Sequence, residues 1–246
     1  MSVYKNILKA IGKGERLFAV LIDPDKFAFG NAESFIKKVN VSMATHIFVG
    51  GSTVDEYTTE ALVGEIKKYT DLPIIIFPGD VYQITEKADA LLFLSLLSGR
   101  NPEYLIGKHV EAVSKLRHMN LEVIPTGYIL IESGVKTAVS EVTNTEGISR
   151  SNIQTIIDTA KAGELLGMKL MYLEAGSGAK LPLTKEIVKA VKNELSIPLI
   201  IGGGIKTKAQ VENAYGAGAN IVVVGTAFEE DESFFEELKD NYENIS

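Results

Sequence analysis

Eight short apolar runs, each separated from the next by a longer amphipathic or polar stretch, leave few folds open to this chain. The runs are Leu17 to Ile22, His46 to Val49, Ile74 to Phe77, Ala90 to Leu94, Glu122 to Ile131, Leu170 to Leu173, Leu199 to Ile201 and Ile221 to Val224. Rich in Ile, Val and Leu, they predict strands of a parallel sheet with helices on its face. The segments Ala32 to Val39, Thr58 to Lys68, Pro102 to His118, Asn152 to Leu166, Thr184 to Glu194 and Lys208 to Ala217 carry apolar residues at helical spacing, with Lys and Glu between them. Eight parallel strands alternating with helices can close on themselves, and 246 residues match the roughly 250 that such a barrel uses. The expectation is one α/β domain over residues 1–246, a parallel (β/α)8 TIM barrel.

Two intervals break the rhythm. Only Pro78 to Asp89 lie between the third and fourth runs, too few for a full helix with two loops. The third helix is therefore shortened, as a two-turn helix over Val81 to Lys87, or missing. A missing helix would expose an apolar side slot suited to a hydrocarbon chain. In the fifth unit, Pro125-Thr126-Gly127-Tyr128 interrupts the run and a long polar stretch, Glu132 to Arg150, precedes the next helix. Loops of that length in compact domains serve function, so this one is read as a lid or substrate loop.

Composition removes several classes of function. The chain has no cysteine, which excludes disulfides, thiolate metal sites and cysteine nucleophiles. A net charge of -7 argues against a nucleic-acid partner, which demands clustered Lys and Arg. The histidines His46, His109 and His118 lack paired-ligand spacing, so any metal must be held mainly by oxygen. No run approaches the ~20 apolar residues of a membrane span, and Met1 to Lys13 has no signal-peptide core, so a cytoplasmic location is expected.

Active sites of such barrels sit at the carboxyl ends of the strands. There the seventh run opens into Gly202-Gly203-Gly204-Ile205-Lys206-Thr207 and the eighth into Gly225-Thr226-Ala227-Phe228. Glycines let backbone amides approach a phosphate, and helices starting at these turns would add their N-terminal dipoles. The sixth ends in Tyr172-Leu173-Glu174-Ala175-Gly176-Ser177-Gly178, where Glu174 is placed to bind a substrate hydroxyl or take its proton. The first ends in Asp23-Pro24-Asp25-Lys26, carboxylates that suit half of a magnesium-diphosphate site, and the second in Gly50-Gly51-Ser52-Thr53. A phosphate cradle, an acidic corner, a carboxylate between them and an apolar slot would serve two phosphorylated substrates, one of them apolar.

Taken in order with Gly127-Tyr128-Ile129-Leu130, these motifs resemble the geranylgeranylglyceryl phosphate synthase family over essentially the whole barrel, from Leu17 to Phe228. The resemblance implies a prenyltransferase that joins sn-glycerol 1-phosphate to a polyprenyl diphosphate such as geranylgeranyl diphosphate, forming an ether and releasing diphosphate with the help of Mg2+. It implies that Tyr172 to Gly178, Gly203, Gly204, Gly225 and Thr226 hold the glycerol phosphate, that Asp23 and Ser52 are associated with the metal, and that Glu174 and Asp23 are the catalytic pair. It also implies a barrel without a regular third helix and an apolar groove for the prenyl chain. The product would partition to membrane, and the chain would form a homo-oligomer, a dimer or larger. The long loop Glu132 to Arg150 departs from the family pattern, as does Thr226 where some relatives place Asn, although Thr226 still offers a hydroxyl. Prenyl length depends on groove depth, a property of three-dimensional packing.

Two other functions fit the glycine turns. One is a phosphate-binding barrel acting as an isomerase or lyase on a small sugar phosphate, which would show a closed, polar mouth. The other is a non-catalytic phosphate-ligand sensor.

Overall fold

The computed structural model describes residues 2–230 and 234–238; Met1, 231–233 and 239–246, which belong to the expected 1–246 domain, lie outside the described residues. Strands β1 (Leu17–Ile22), β2 (His46–Val49), β3 (Ile74–Ile76), β4 (Ala90–Leu96), β5 (Glu122–Leu130), β6 (Leu170–Glu174), β7 (Leu199–Gly202) and β8 (Ile221–Val224) follow one another around a closed barrel. Each pairs in parallel with its neighbours, and β8 closes onto β1 with Leu17 opposite Ile221. Because side chains alternate along a strand, the barrel has two cores. Ala19, Phe48, Ile75, Leu92, Tyr172, Ile200 and Val223 fill its interior. Phe18, Val20, Ile47, Leu91, Leu173, Ile201 and Val222 face outward against the helices.

The outer ring comprises α2 (Ala32–Asn40), α3 (Thr58–Ile66), α4 (Gly107–Leu116), α6 (Ile153–Leu165), α7 (Lys185–Glu194) and α8 (Lys208–Gly216), with short helices α9 (Thr226–Glu230) and α10 (Phe234–Glu237) after β8. In the third interval a single 3-10 turn, Val81–Gln83, replaces the helix, so the two-turn helix to Lys87 does not form. Asp80 caps that turn by accepting the Val81 N–H at 2.6 Å. The Pro102 to His118 segment divides into a 3-10 turn, Pro102–Tyr104, and α4.

Two elements escape the sequence pattern. Helix α1 (Val3–Gly12) seals the amino end of the barrel, where Val3 and Ile7 join the interior core. The carboxylate of Glu122, at the start of β5, accepts from Ser2 Oγ at 2.7 Å and from the Val3 and Tyr4 amides at 2.5 and 3.1 Å, fastening the amino end of α1. Within the long loop, α5 (Ala138–Thr143) forms behind a capping box made by Thr137 and Ser140. The loop then returns so that Ile148 pairs beside Ile131. No helix among the described residues is long and apolar enough to cross a membrane.

Candidate active site

Strand β6 runs one residue further than its apolar pattern, because Glu174 pairs with Leu130 of β5 and Gly202 of β7. Alternation then aims both Tyr172 and Glu174 into the carboxyl mouth of the barrel. Below the mouth the rings of Phe77 and Tyr172 stack with centroids 5.3 Å apart, and Tyr128 lies 5.3 Å from Tyr172. Glu174 is only 6% exposed, and this burial raises its carboxyl to about 7 against the opposing pull of the Gly176 N–H and the Tyr172 hydroxyl. At neutral pH the group is poised to take a proton. Burial pushes the Tyr128 and Tyr172 hydroxyls up, so both stay protonated and able to donate.

Around Glu174 lies a polar cavity lined by Asp23, Lys26, Ser52, Ser177, Gly203, Gly204, Lys206, Gly225 and Thr226. Gly203 has φ of +85°, and a Cβ there would lie 2.2 Å from Glu174 Oε1, so the seventh turn presents bare backbone beside the carboxylate. Ser177 and Thr226 hydroxyls approach to 3.3 Å, joining the sixth and eighth turns. Helix α8 begins at Lys208 behind a capping box in which Thr207 Oγ1 accepts the Gln210 amide and Gln210 Oε1 accepts the Thr207 amide; Gln210 Oε1 also accepts the Lys206 amide at 2.7 Å. At the eighth turn, α9 begins at Thr226, directly after Gly225.

Across the mouth, Asp23 packs on the Gly51 backbone so closely that a Cβ on Gly51 would meet Asp23 Oδ1 at 2.6 Å. Its other oxygen pairs with Lys26 Nζ at 3.2 Å. Asp25 turns away and accepts the Asp55 amide at 3.2 Å, tying the first loop to the second. Gln83 Nε2 donates to the Gly51 carbonyl at 2.9 Å and so steadies the strip that carries Ser52. No cluster of three or more His, Asp or Glu side chains gathers among the described residues. The Asp23 carboxylate and the Ser52 hydroxyl, both on the cavity lining, are a donor set of the kind that fits magnesium, which takes one or two carboxylates and keeps several waters.

The missing third helix leaves an apolar slot on the flank of β4, lined by Val81, Ile84, Leu91, Phe93, His109 and Ala112. Burial lowers the His109 imidazole below its ordinary range, so this residue adds no charge to the wall at neutral pH. Lys108 pairs with Asp80 at 3.0 Å and bridges the walls on the outer side. Gly51, Ser52, Phe77, Tyr128 and Val139 line both slot and polar cavity, so the two spaces meet at the carboxyl mouth. Val139 belongs to α5; the long loop therefore roofs the junction.

Of the residues expected at the site, Asp23, Ser52, Tyr172, Glu174, Ser177, Gly178, Gly203, Gly204, Gly225 and Thr226 line the polar cavity. Leu173 and Ala175 point into the outer core and can reach a ligand only through their backbones. Gly176 lies behind the lining, packed so tightly on Thr137 that a Cβ would meet its Cγ2 at 2.1 Å. Missing from the expectation were Phe77 and Val139, whereas Lys206 lay within the seventh-turn motif. Phe77 ends an apolar run and could have been found there, whereas no local signal marks Val139.

The family model described as the PcrB family matches residues 11–244. The geranylgeranylglyceryl phosphate synthase of Flavobacterium johnsoniae is 52% identical over 235 residues, 96% of this chain and 97% of that protein. That of Zunongwangia profunda is 53% identical over 226 residues, 92% of this chain and 96% of the other. The crystal structure of (S)-3-O-geranylgeranylglyceryl phosphate synthase from Thermoplasma acidophilum, in complex with its substrate sn-glycerol-1-phosphate, superposes with a TM-score of 0.91 at 34% identity, covering 97% of this chain and 96% of that one.

Proposed function

This chain belongs to the PcrB family, with geranylgeranylglyceryl phosphate synthases as its relatives, and from that premise we propose that it joins sn-glycerol 1-phosphate to geranylgeranyl diphosphate. The observation that carries the reading is the shared wall at Ser52, Phe77 and Tyr128, where a polar cavity sized for a phosphate acceptor opens onto an apolar slot. An isomerase or lyase of small sugar phosphates has no use for such a slot.

In the reaction the glycerol 3-hydroxyl forms a bond to the first prenyl carbon while the bond from that carbon to diphosphate breaks. Backbone of the Gly203-Gly204 and Gly225 turns, with the Ser177 and Thr226 hydroxyls, holds the acceptor phosphate. That anchoring directs the free hydroxyl toward Glu174, which orients it and receives its proton. Tyr172 donates to Glu174 and, with Phe77 and Tyr128, forms an apolar floor that keeps water from the reacting carbon. Asp23 and Ser52 would hold magnesium, which when bound supplies charge neutralisation on the departing diphosphate. The slot takes the hydrocarbon tail. Exposed Ile106, Val110 and Val113, spaced along α4 from its N-cap, support association of copies into a homo-oligomer. The product, a prenyl chain carrying a phosphate head, would leave for a membrane from a cytoplasmic enzyme.

The test is transfer of labelled sn-glycerol 1-phosphate to geranylgeranyl diphosphate, with and without magnesium, followed by extraction of the labelled lipid. An organic-soluble ether phosphate is the expected product. Binding of glycerol phosphate without transfer to prenyl donors of any length would refute the synthase reading in favour of a sensor.

A further inference from the structure

We infer that Arg150, at the end of the long loop and outside the reaction centre, is a positioning residue for the acceptor's phosphate cradle. Its planar guanidinium donates from Nε to the Glu132 carbonyl at 2.6 Å, from Nη1 to the Pro182 carbonyl at 3.0 Å and from Nη2 to the Leu181 carbonyl at 2.8 Å. Three main-chain oxygens from two loops are thus held by one side chain, an arrangement that needs the rigid fork of arginine rather than the point charge of lysine.

What Arg150 holds matters because of its neighbour. The Leu181–Pro182 peptide is the surface on which Gly204 rests: a Cβ on Gly204 would stand 2.9 Å from both the Leu181 carbonyl carbon and the Pro182 nitrogen. Gly204 has φ of +70° and lines the polar cavity. Rotation or retreat of the peptide would release the turn that presents backbone to the phosphate. The Leu181 side chain is 65% exposed, so its own packing does little to fix this peptide. At its other end, the clamp grips Glu132, where the long loop leaves β5 beside the Ile131 to Ile148 pairing. Arg150 therefore ties the root of that loop to the wall of the cradle. It touches neither the slot nor the acidic corner around Asp23.

The consequence is selective. Losing the fork loosens acceptor binding and leaves the donor side intact. The inference rests on the acceptor reading above, and the experiment separates the two. Binding of sn-glycerol 1-phosphate to the unaltered protein is measured by calorimetry beside steady-state kinetics of Arg150→Lys and Arg150→Met. The expected result is a rise of about tenfold or more in KM for glycerol phosphate in both variants, the worth of one lost charge-assisted contact. KM for the prenyl diphosphate should stay within about twofold, with kcat recovered at saturating acceptor. Lysine should not rescue. Unchanged acceptor KM in both variants overturns the inference, as does a parallel loss in both substrates with a lowered melting temperature, which marks a general structural staple. Absence of glycerol phosphate binding by the unaltered protein would instead remove the proposed function itself.

Discussion

The main-chain N–H of Gly176 donates to Glu174 Oε1 at 2.6 Å, within the turn that carries both residues. This bond directs one carboxylate oxygen toward the cradle loops and offsets part of the cost of burying the group. Desolvation still prevails, and the carboxyl titrates at about 7.

Activity should follow that titration. With Glu174 as the proton acceptor, kcat/KM rises with pH through an apparent midpoint near 7. Glu174→Gln removes the acceptor and should lower kcat by about a hundredfold or more while retaining glycerol phosphate binding. A flat acid limb, or a variant with near-normal turnover, would contradict the assignment. Stability moves the opposite way. The folded value lies above the ordinary 4.5, so the native state binds the extra proton between 4.5 and about 7. The stability contributed by this group is fully present below 4.5 and is lost as pH rises through about 7. Thermal melts across this range should show a smaller decline for Glu174→Gln than for the unaltered chain.

Gly203→Ala tests the cradle. An alanine must hold φ near +85° and place its methyl against the Glu174 carboxylate. The backbone strain alone is about 1–2 kcal/mol. Glycerol phosphate affinity should fall at least about tenfold. Gly14→Ala is the matched control, since Gly14 has φ of +79° with nothing near its missing Cβ. It should cost stability without touching binding; equal loss of affinity in both would sink the cradle.

Chelation of magnesium should abolish transfer, and re-addition should restore it. Asp23→Asn should raise the magnesium concentration needed for half-maximal activity by about tenfold, with little change in glycerol phosphate binding measured without metal. Full turnover in excess chelator would show that the acidic corner serves another purpose.

The seal at the amino end gives a prediction independent of chemistry. Glu122→Ala strips three hydrogen bonds from the start of α1 and should destabilise the fold by about 1–3 kcal/mol, visible as a melting point lowered by several degrees. Substrate affinities should hold, because α1 closes the end of the barrel opposite the mouth. An unchanged melting temperature would mean that α1 is held by its apolar face alone.

The amino-acid sequence by itself determined the eight strands, their parallel order and the turns that line the mouth. These rest on local rules: runs of buried β-branched residues, helical spacing between them, and glycine where backbone must stand bare. The inward aim of Glu174 needed the structure, because it depends on β6 extending one residue beyond the apolar run to pair Glu174 with Leu130 and Gly202. Tertiary structure alone decided the rest. Glu174 becomes a base near neutrality because Gly203 of the seventh turn and the Phe77 and Tyr128 rings, brought beside it by other strands as the barrel closes, exclude water from it. The slot exists because a twelve-residue interval from Pro78 to Asp89 formed one 3-10 turn where either of two outcomes suited the pattern. Helix α1 and the Arg150 clamp left no mark in the sequence, since each is defined by partners far along the chain: Glu122 for one, and Leu181 and Pro182 for the other. Periodicity and turn chemistry act between neighbours in sequence, whereas desolvation and carbonyl clamping act between neighbours in space.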